Sequence, residues 1–283
     1  MKKAISAVVL LLLISATGYF AFRINPAGTE PAGASNTEKL VLTGSSTVAP
    51  LAAEIGKRFE SRHPNVRIDV QTGGSSRGVN DARAGLADIG MASRALKPDE
   101  AGLKSFTIAL DGIGIIVNAA NPLTALDKQQ IIDIFTGKVT NWKELGGNDA
   151  PITVVNKAEG RSTLELFLHY FGLKNTDIKA QVVIGDNQQG IKTVAGNPDA
   201  IGYVSVGAAE YEAGHAAAIK LLPLDGIAAS VENVRNGSFP LSRPLNLLTK
   251  TEPAGVAKDF IDFARSADVN DLIEAQYFVP VAH

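Results

Sequence analysis

Apolar and polar positions divide the chain into one long run and many short periods. Residues 4–22 carry no charge and follow Lys2 and Lys3. A positive start and an apolar run of this length read as a secretory leader. At about 1.5 Å per residue the run is also just long enough to span a bilayer as a retained anchor. Ala32-Gly33-Ala34 ahead of Ser35 is a small-residue cleavage candidate, and residues 25–37, rich in Pro, Gly, Ala, Ser and Thr, read as a tether. Beyond it, short apolar runs and alternation predict strands at 39–43, 65–70, 88–92 and 106–118. Val48, Leu51, Ile55 and Phe59 recur at helical spacing, with Thr47 as the expected N-cap and Pro50 in the first turn. A second helix is expected at 79–86. The middle of the chain predicts a helix at 127–135 with a capping box of Asp127 and Gln130 and a stop at Gly137. A strand at 151–156 follows, then a helix on Leu164, Phe167, Leu168 and Phe171, and strands at 181–184 and 201–204. Residues 238–249 read as extended, with prolines that favour a sheet edge. Val256, Phe260 and Phe263 mark a last helix. Strands alternating with helices predict an α/β architecture.

Length and composition narrow the classes. At 283 residues the chain exceeds an ordinary single core, so two domains or one large one are expected. With 45% apolar and 20% charged residues, global disorder is excluded. The 27 basic and 29 acidic residues leave a net charge of −2, with no basic excess to attract nucleic acid. Loss of residues 1–34 would make the balance more negative, so any anion site has to be local. The absence of cysteine removes disulfides, thiol catalysis, thiolate metal sites and a lipid-modified cysteine anchor together. His63, His169, His215 and His283 lack metal-ligand spacing, and no cofactor or metal is expected.

The chemistry concentrates in three strand-to-helix turns: Gly44-Ser45-Ser46-Thr47, Gly73-Gly74-Ser75-Ser76 and Gly160-Arg161-Ser162-Thr163. The first N–H groups of a helix lack intrahelical partners and carry the positive end of its dipole. Hydroxyls add donors there, and glycine permits close approach. One such turn is ordinarily a helix cap. Three, flanked by Arg77, Arg94, Lys157 and Arg161, point to an anion site at the carboxyl ends of the strands. Gly74-Ser75-Ser76-Arg77-Gly78 also fits the G-x-S-x-G nucleophile elbow of serine hydrolases. Too few strands precede it for that fold, no His-Gly-Gly motif accompanies it, and no enzyme activity is expected.

Six segments, TGSSTVAPLA, GGSSRGVNDARAGLADIGMASRAL, IALDGIGIIVN, QQIIDIFTGKVTNWKELGG, NPDAIGYVSVG and FPLSRPLNLLT, resemble in order the shorter, PstS-like branch of the phosphate-binding proteins of phosphate ABC importers. The resemblance runs over residues 40–280. It implies a two-lobed periplasmic-binding-protein type II fold, each lobe a mixed sheet flanked by helices, joined by two crossing strands. The implied division is 1–34 as leader or anchor with linker, 35–117 with 206–283 as one lobe, and 118–205 as the other. The implied function is capture of a tetrahedral oxyanion, inorganic phosphate foremost, between the lobes and its delivery to an ABC permease, by a monomer outside the cytoplasm with no nucleic-acid partner. A tethered sensor or interaction protein on the same fold is the alternative.

The resemblance assigns hydroxyl and amide donors to Ser46, Thr47, Ser75 and Ser76. Its third motif, an Arg, three residues, then Ser-Gly-Thr, reads here from Lys157 to Thr163. Thr163 matches, while Lys157 replaces the Arg, Arg161 the Ser and Ser162 the Gly. Lysine brings charge without a bidentate fork, and Arg161 either restores the fork or blocks the old geometry. In the longer branch of the family an Asp after Ala-Ser accepts the ligand's proton. Here Ala92-Ser93 is followed by Arg94, a further source of charge. Asp111 is left either to face the cleft as the proton acceptor or to pair with Arg94. Trp142 and Tyr203 read as packing and as hinge or core.

Overall fold

A computed structural model describes residues 37–281. Residues 1–36, which carry the leader-or-anchor reading and nearly all of the expected tether, lie outside the described residues, as does His283. No helix among the described residues is long and apolar enough to cross a membrane.

The chain begins with β1 (Glu38–Gly44), α1 (Ala49–Arg62), β2 (Val66–Thr72), α2 (Ser75–Ala84) and β3 (Ile89–Ala92). The long β4 (Lys104–Asn118) leads to α3 (Lys128–Phe135), β5 (Thr153–Lys157), α4 (Ser162–Phe171), β6 (Val182–Ile184), α5 (Asn187–Ala195) and β7 (Ala200–Ser205). Then come α6 (Val206–Gly214), β8 (Ile219–Leu222), α7 (Val231–Arg235), β9 (Ser242–Thr249), α8 (Gly255–Ala264), α9 (Asn270–Ala275) and β10 (Val279–Pro280).

Expected elements form, with instructive shifts. Asp127 caps α3 in a reciprocal box with Gln130. Thr47 does not cap α1. Ser45 instead holds the turn that opens it, its Oγ accepting from the amides of Thr47 (3.2 Å) and Val48 (3.3 Å), which leaves the Thr47 hydroxyl for other work. α2 starts four residues earlier than expected. Gly74 enters it at φ +93°, and a Cβ there would lie 2.5 Å from the Gly160 carbonyl oxygen. Only glycine permits that approach.

The strands form one mixed sheet in the order β2-β1-β3-β9-β4-β7-β5-β6. β1 runs parallel to β2 and β3, and β5 parallel to β6 and β7, while β4 is antiparallel to its partners. β4 threads the whole molecule. Its first part pairs with β9 and β10, and its last residues with β7 and β8. The edge position expected for the proline stretch is overturned, because β9 lies between β3 and β4. Pro244 is tolerated because β3 reaches only Asn246, Leu247 and Leu248, so the missing N–H falls where β9 has β4 alone as neighbour.

Two cores flank the two halves of β4. Leu42, Leu51, Ile55, Phe59, Met91, Leu247 and Phe260 fill the first. Ile113, Ile115, Phe135, Trp142, Phe167 and Tyr203 anchor the second, which also gathers Val206, Leu222, Val234 and Phe239. Trp142 is buried and donates to the Asp199 carbonyl (3.0 Å), a packing role. The strand ends of both halves meet at one place.

Candidate functional site

Arg243, near the start of β9, lies at that meeting point. Its Nη1 donates to Thr163 Oγ1 (2.9 Å) and Ser93 Oγ (3.3 Å), and its Nη2 to Thr47 Oγ1 (3.3 Å). Nε and Nη2 both reach Asp111 Oδ2, at 3.1 and 2.8 Å. The other oxygen of Asp111 accepts from Ser205 Oγ (2.9 Å) and the Gly207 amide (3.2 Å). One guanidinium on β9 thus gathers residues from the turns after β1 and β3, from β4 and from α4.

The polarity of these bonds matters. A hydroxyl has one proton to give and two lone pairs. Thr47 Oγ1 accepts from Arg243 and from Asn187 Nδ2 (3.1 Å), so both its lone pairs are used and its proton is free to donate. Thr163 and Ser93 accept from Arg243, and Ser75 Oγ accepts from the Ser93 amide (3.2 Å). Ser162 Oγ is buried with no partner at all. A buried orphan hydroxyl costs free energy unless something else satisfies it. The cluster therefore holds hydroxyl donors that have no acceptor of their own.

Lys157, the last residue of β5, adds charge. It is 3% exposed, and its Nζ donates to Asn187 Oδ1 at 3.1 Å. No carboxylate pairs with it among the described residues. Burial, then the repulsion of Arg243, push its pKa from 10.5 down to about 7, with Arg161 adding to the push and Asp186 opposing it. Behind it, Tyr203 stacks on Phe167 and accepts from the Lys157 amide (3.4 Å), fixing the strand end.

The remaining expected residues fall into a second group. Arg94 is held by both oxygens of Glu100 (2.6 and 2.8 Å), and its Nε lies 3.0 Å from Glu165 Oε2, which Lys97 also meets at 2.9 Å. Two carboxylates take up its charge. Ser76 Oγ donates to Glu165 Oε1 (3.1 Å), and the Ser76 amide to the Gly160 carbonyl (3.2 Å). Arg161 donates through Nε to the Gly185 carbonyl (2.6 Å) and through Nη1 to that of Gly73. This group is a clasp that ties α2 and the stretch after β3 to the start of α4, and the turn before α4 to the turns before α2 and α5. Arg77 turns away, to Asp81 and the Thr72 carbonyl.

Of the ten expected residues, Thr47, Asp111, Lys157, Ser162 and Thr163 share the buried cluster, and Ser75 joins it through Ser93. Ser46 lines a cavity of 620 Å³ together with Thr47 and Asn187. Ser76, Arg94 and Arg161 belong to the clasp. The pairing of Asp111 with Arg94 does not form. Each has a nearer partner, Arg243 and Glu100. Sequence reasoning missed Arg243, Asn187, Ser93 and Ser205. Arg243 was legible as the single cation in the apolar stretch SFPLSRPLNLLT. Among the described residues, the serines of the elbow motif meet no imidazole. His63 stacks on Phe59, His215 stacks on Tyr211, and His169 is exposed. Among the described residues no three His, Asp or Glu side chains are grouped to hold a metal ion.

Residues 29–268 match the family model of the PBP superfamily domain. The phosphate-binding protein PstS of Bacillus subtilis is 30% identical over 99% of this chain and 95% of its own length. A phosphate ABC transporter substrate-binding protein from Clostridium perfringens, solved with bound phosphate, superposes with a TM-score of 0.79 at 36% identity, over 87% of this chain and 100% of that one. An ABC-type phosphate transport receptor from Vibrio cholerae gives 0.71 at 31% identity, over 86% of this chain and 100% of that one.

Proposed function

The chain belongs to the PBP superfamily and, within it, to the PstS phosphate-binding proteins, and from this premise we propose that it captures inorganic phosphate without covalent chemistry and hands it to an ABC permease. The observation that carries the reading is the buried cluster around Arg243. Its hydroxyl protons on Thr47, Thr163 and Ser93 are directed away from the guanidinium, Ser162 has no partner, and Lys157 has no carboxylate. A tetrahedral anion with several acceptor oxygens supplies what every one of these groups lacks. Hydrogen bonds that involve a charge are worth roughly 1.5–3 kcal/mol each. Several together support micromolar or tighter binding after the cost of association is subtracted.

Capture proceeds by closure of two lobes, 37–112 with 242–281 against 113–241, a division that follows the two cores and the course of β4. The clasp formed by Ser76, Arg94, Lys97, Arg161 and Glu165 then holds the cleft shut. Asp111 orients Arg243 and meets no ligand. The protein acts outside the cytoplasm, in keeping with the apolar run at 4–22, as a binding protein and not an enzyme, and as a monomer.

Isothermal titration of protein stripped of endogenous ligand tests the reading. Phosphate should bind at micromolar concentration or below. Absence of heat and of any thermal stabilisation with phosphate would remove it.

A further inference from the structure

Among the described residues, Lys157 is the one buried cation of the site without an anionic partner. Arg243 has Asp111, and Arg94 has Glu100 and Glu165. Around the Lys157 amine, β9 presents Arg243, the turn before α4 presents Arg161, and the turn before α5 presents Asp186. The Asp186 carboxylate is bound to the Gln189 amide as a helix cap. α5 itself offers only the neutral Asn187 Oδ1, and β7 only the Tyr203 phenol, which meets the Lys157 backbone. From β4, Asp111 is engaged at both oxygens, so it has no position left to receive a ligand proton. α4 brings Ser162 and Thr163, both neutral. An amine so placed, out of water and near two guanidiniums, sheds its proton near neutral pH. As a free base it has a lone pair to offer.

We propose that Lys157 is the proton acceptor of the site, taking the proton of a ligand P–OH group, a role that rests on the phosphate reading above. Dihydrogen phosphate enters opposite a neutral amine. One proton moves from a phosphate oxygen to Nζ, and the pair is held as hydrogen phosphate against an ammonium. The net charge of the closed site does not change in that step, and no further reactant is needed. Sulfate has no proton to give at neutral pH, so the ammonium it requires has to be charged from solvent. Above neutral pH phosphate too is a dianion in solution, so the affinity of either anion falls about tenfold for each pH unit as the amine draws its proton from solvent.

The test counts protons by isothermal titration in two buffers of different ionisation enthalpy, using the whole protein. At pH 8.5, where free phosphate is already the dianion, the wild type should take up close to one proton per phosphate bound. Lys157→Arg, which keeps its charge, and Lys157→Met, which has no base, should take up none. Wild-type sulfate affinity should fall tenfold per unit between pH 7.5 and 9.5 and stay flat in Lys157→Arg. Phosphate binding by the wild type without proton uptake at pH 8.5 overturns the role of Lys157 and leaves the phosphate reading standing. No phosphate binding by the wild type at any pH overturns both.

Discussion

Arg94 and Arg243 are buried to nearly the same depth, at 3% and 2% exposure, but the charge around them differs. Arg94 meets both oxygens of Glu100 and one of Glu165, with Lys97 sharing the latter. The group is neutral overall, and an incoming anion would gain nothing there. Arg243 meets one carboxylate, Asp111, whose second oxygen is already bound, and its neighbour Lys157 has none. Its remaining partners are hydroxyls that accept from it and keep their own protons. Burying a charge is costly unless it is paired. A balanced buried ion cluster is therefore a structural device, while a buried surplus of one sign marks the place of a missing ligand. Depth of burial alone does not separate the two.

Removing each arginine in turn tests that distinction, and the largest effect is expected at Arg243. Arg243→Met removes the charge at the centre of the cluster and lets its hydroxyl partners turn their protons elsewhere. Phosphate affinity should fall at least a hundredfold by isothermal titration. Asp111 would be left buried and unpaired, so the unfolding free energy should also drop by about 3–5 kcal/mol. The double variant Arg243→Met with Asp111→Leu removes both charges. It should recover most of the stability in urea denaturation and none of the binding. Recovery of phosphate binding in the double variant would show that the charge surplus is not what holds the ligand.

Arg94→Met is expected to give the opposite pattern. Glu100 would lose the guanidinium that holds its carboxyl below the usual range, again at about 3–5 kcal/mol of stability. Phosphate affinity should change by less than about tenfold, since Arg94 lies outside the hydroxyl cluster around Arg243 and acts only through the clasp. A loss of binding as deep as that of Arg243→Met would erase the difference between the two arginines.

The same contrast explains what the sequence made legible. The strands and the three hydroxyl-rich turns are local patterns of periodicity and capping, and these formed with small shifts, such as Ser45 replacing Thr47 as the residue that holds the turn opening α1. That replacement is itself informative, because it releases Thr47 to the site. Partner choice over long separations was not legible. Asp111 is 132 positions from Arg243 and far closer in sequence to Arg94, and nothing in either segment ranks the two pairings. Proline chemistry predicted a sheet edge and was overturned, since a mid-sheet strand can hold Pro244 where only one neighbour pairs. Arg161 showed the same limit. Its place in the third turn suggested a ligand donor, and its bonds go to the Gly73 and Gly185 carbonyls.

Ser162 gives the finest test of the surplus. Its hydroxyl is buried, at the first residue of α4, and bonded to nothing. If it exists to serve an anion, Ser162→Ala should separate stability from binding. Without ligand, the variant loses no hydrogen bond and sheds an unsatisfied polar group, so its unfolding midpoint in urea should be unchanged or slightly raised. With phosphate, it lacks one donor to a charged acceptor, worth roughly 1.5–3 kcal/mol, and affinity should fall at least tenfold. The neighbouring Thr163→Val makes the control, because its hydroxyl is already bonded to Arg243 (2.9 Å) and its loss should lower stability and binding together. Unchanged phosphate affinity in Ser162→Ala, at unchanged stability, would place the anion away from the Ser162 hydroxyl and confine the site to the side chains that touch Arg243.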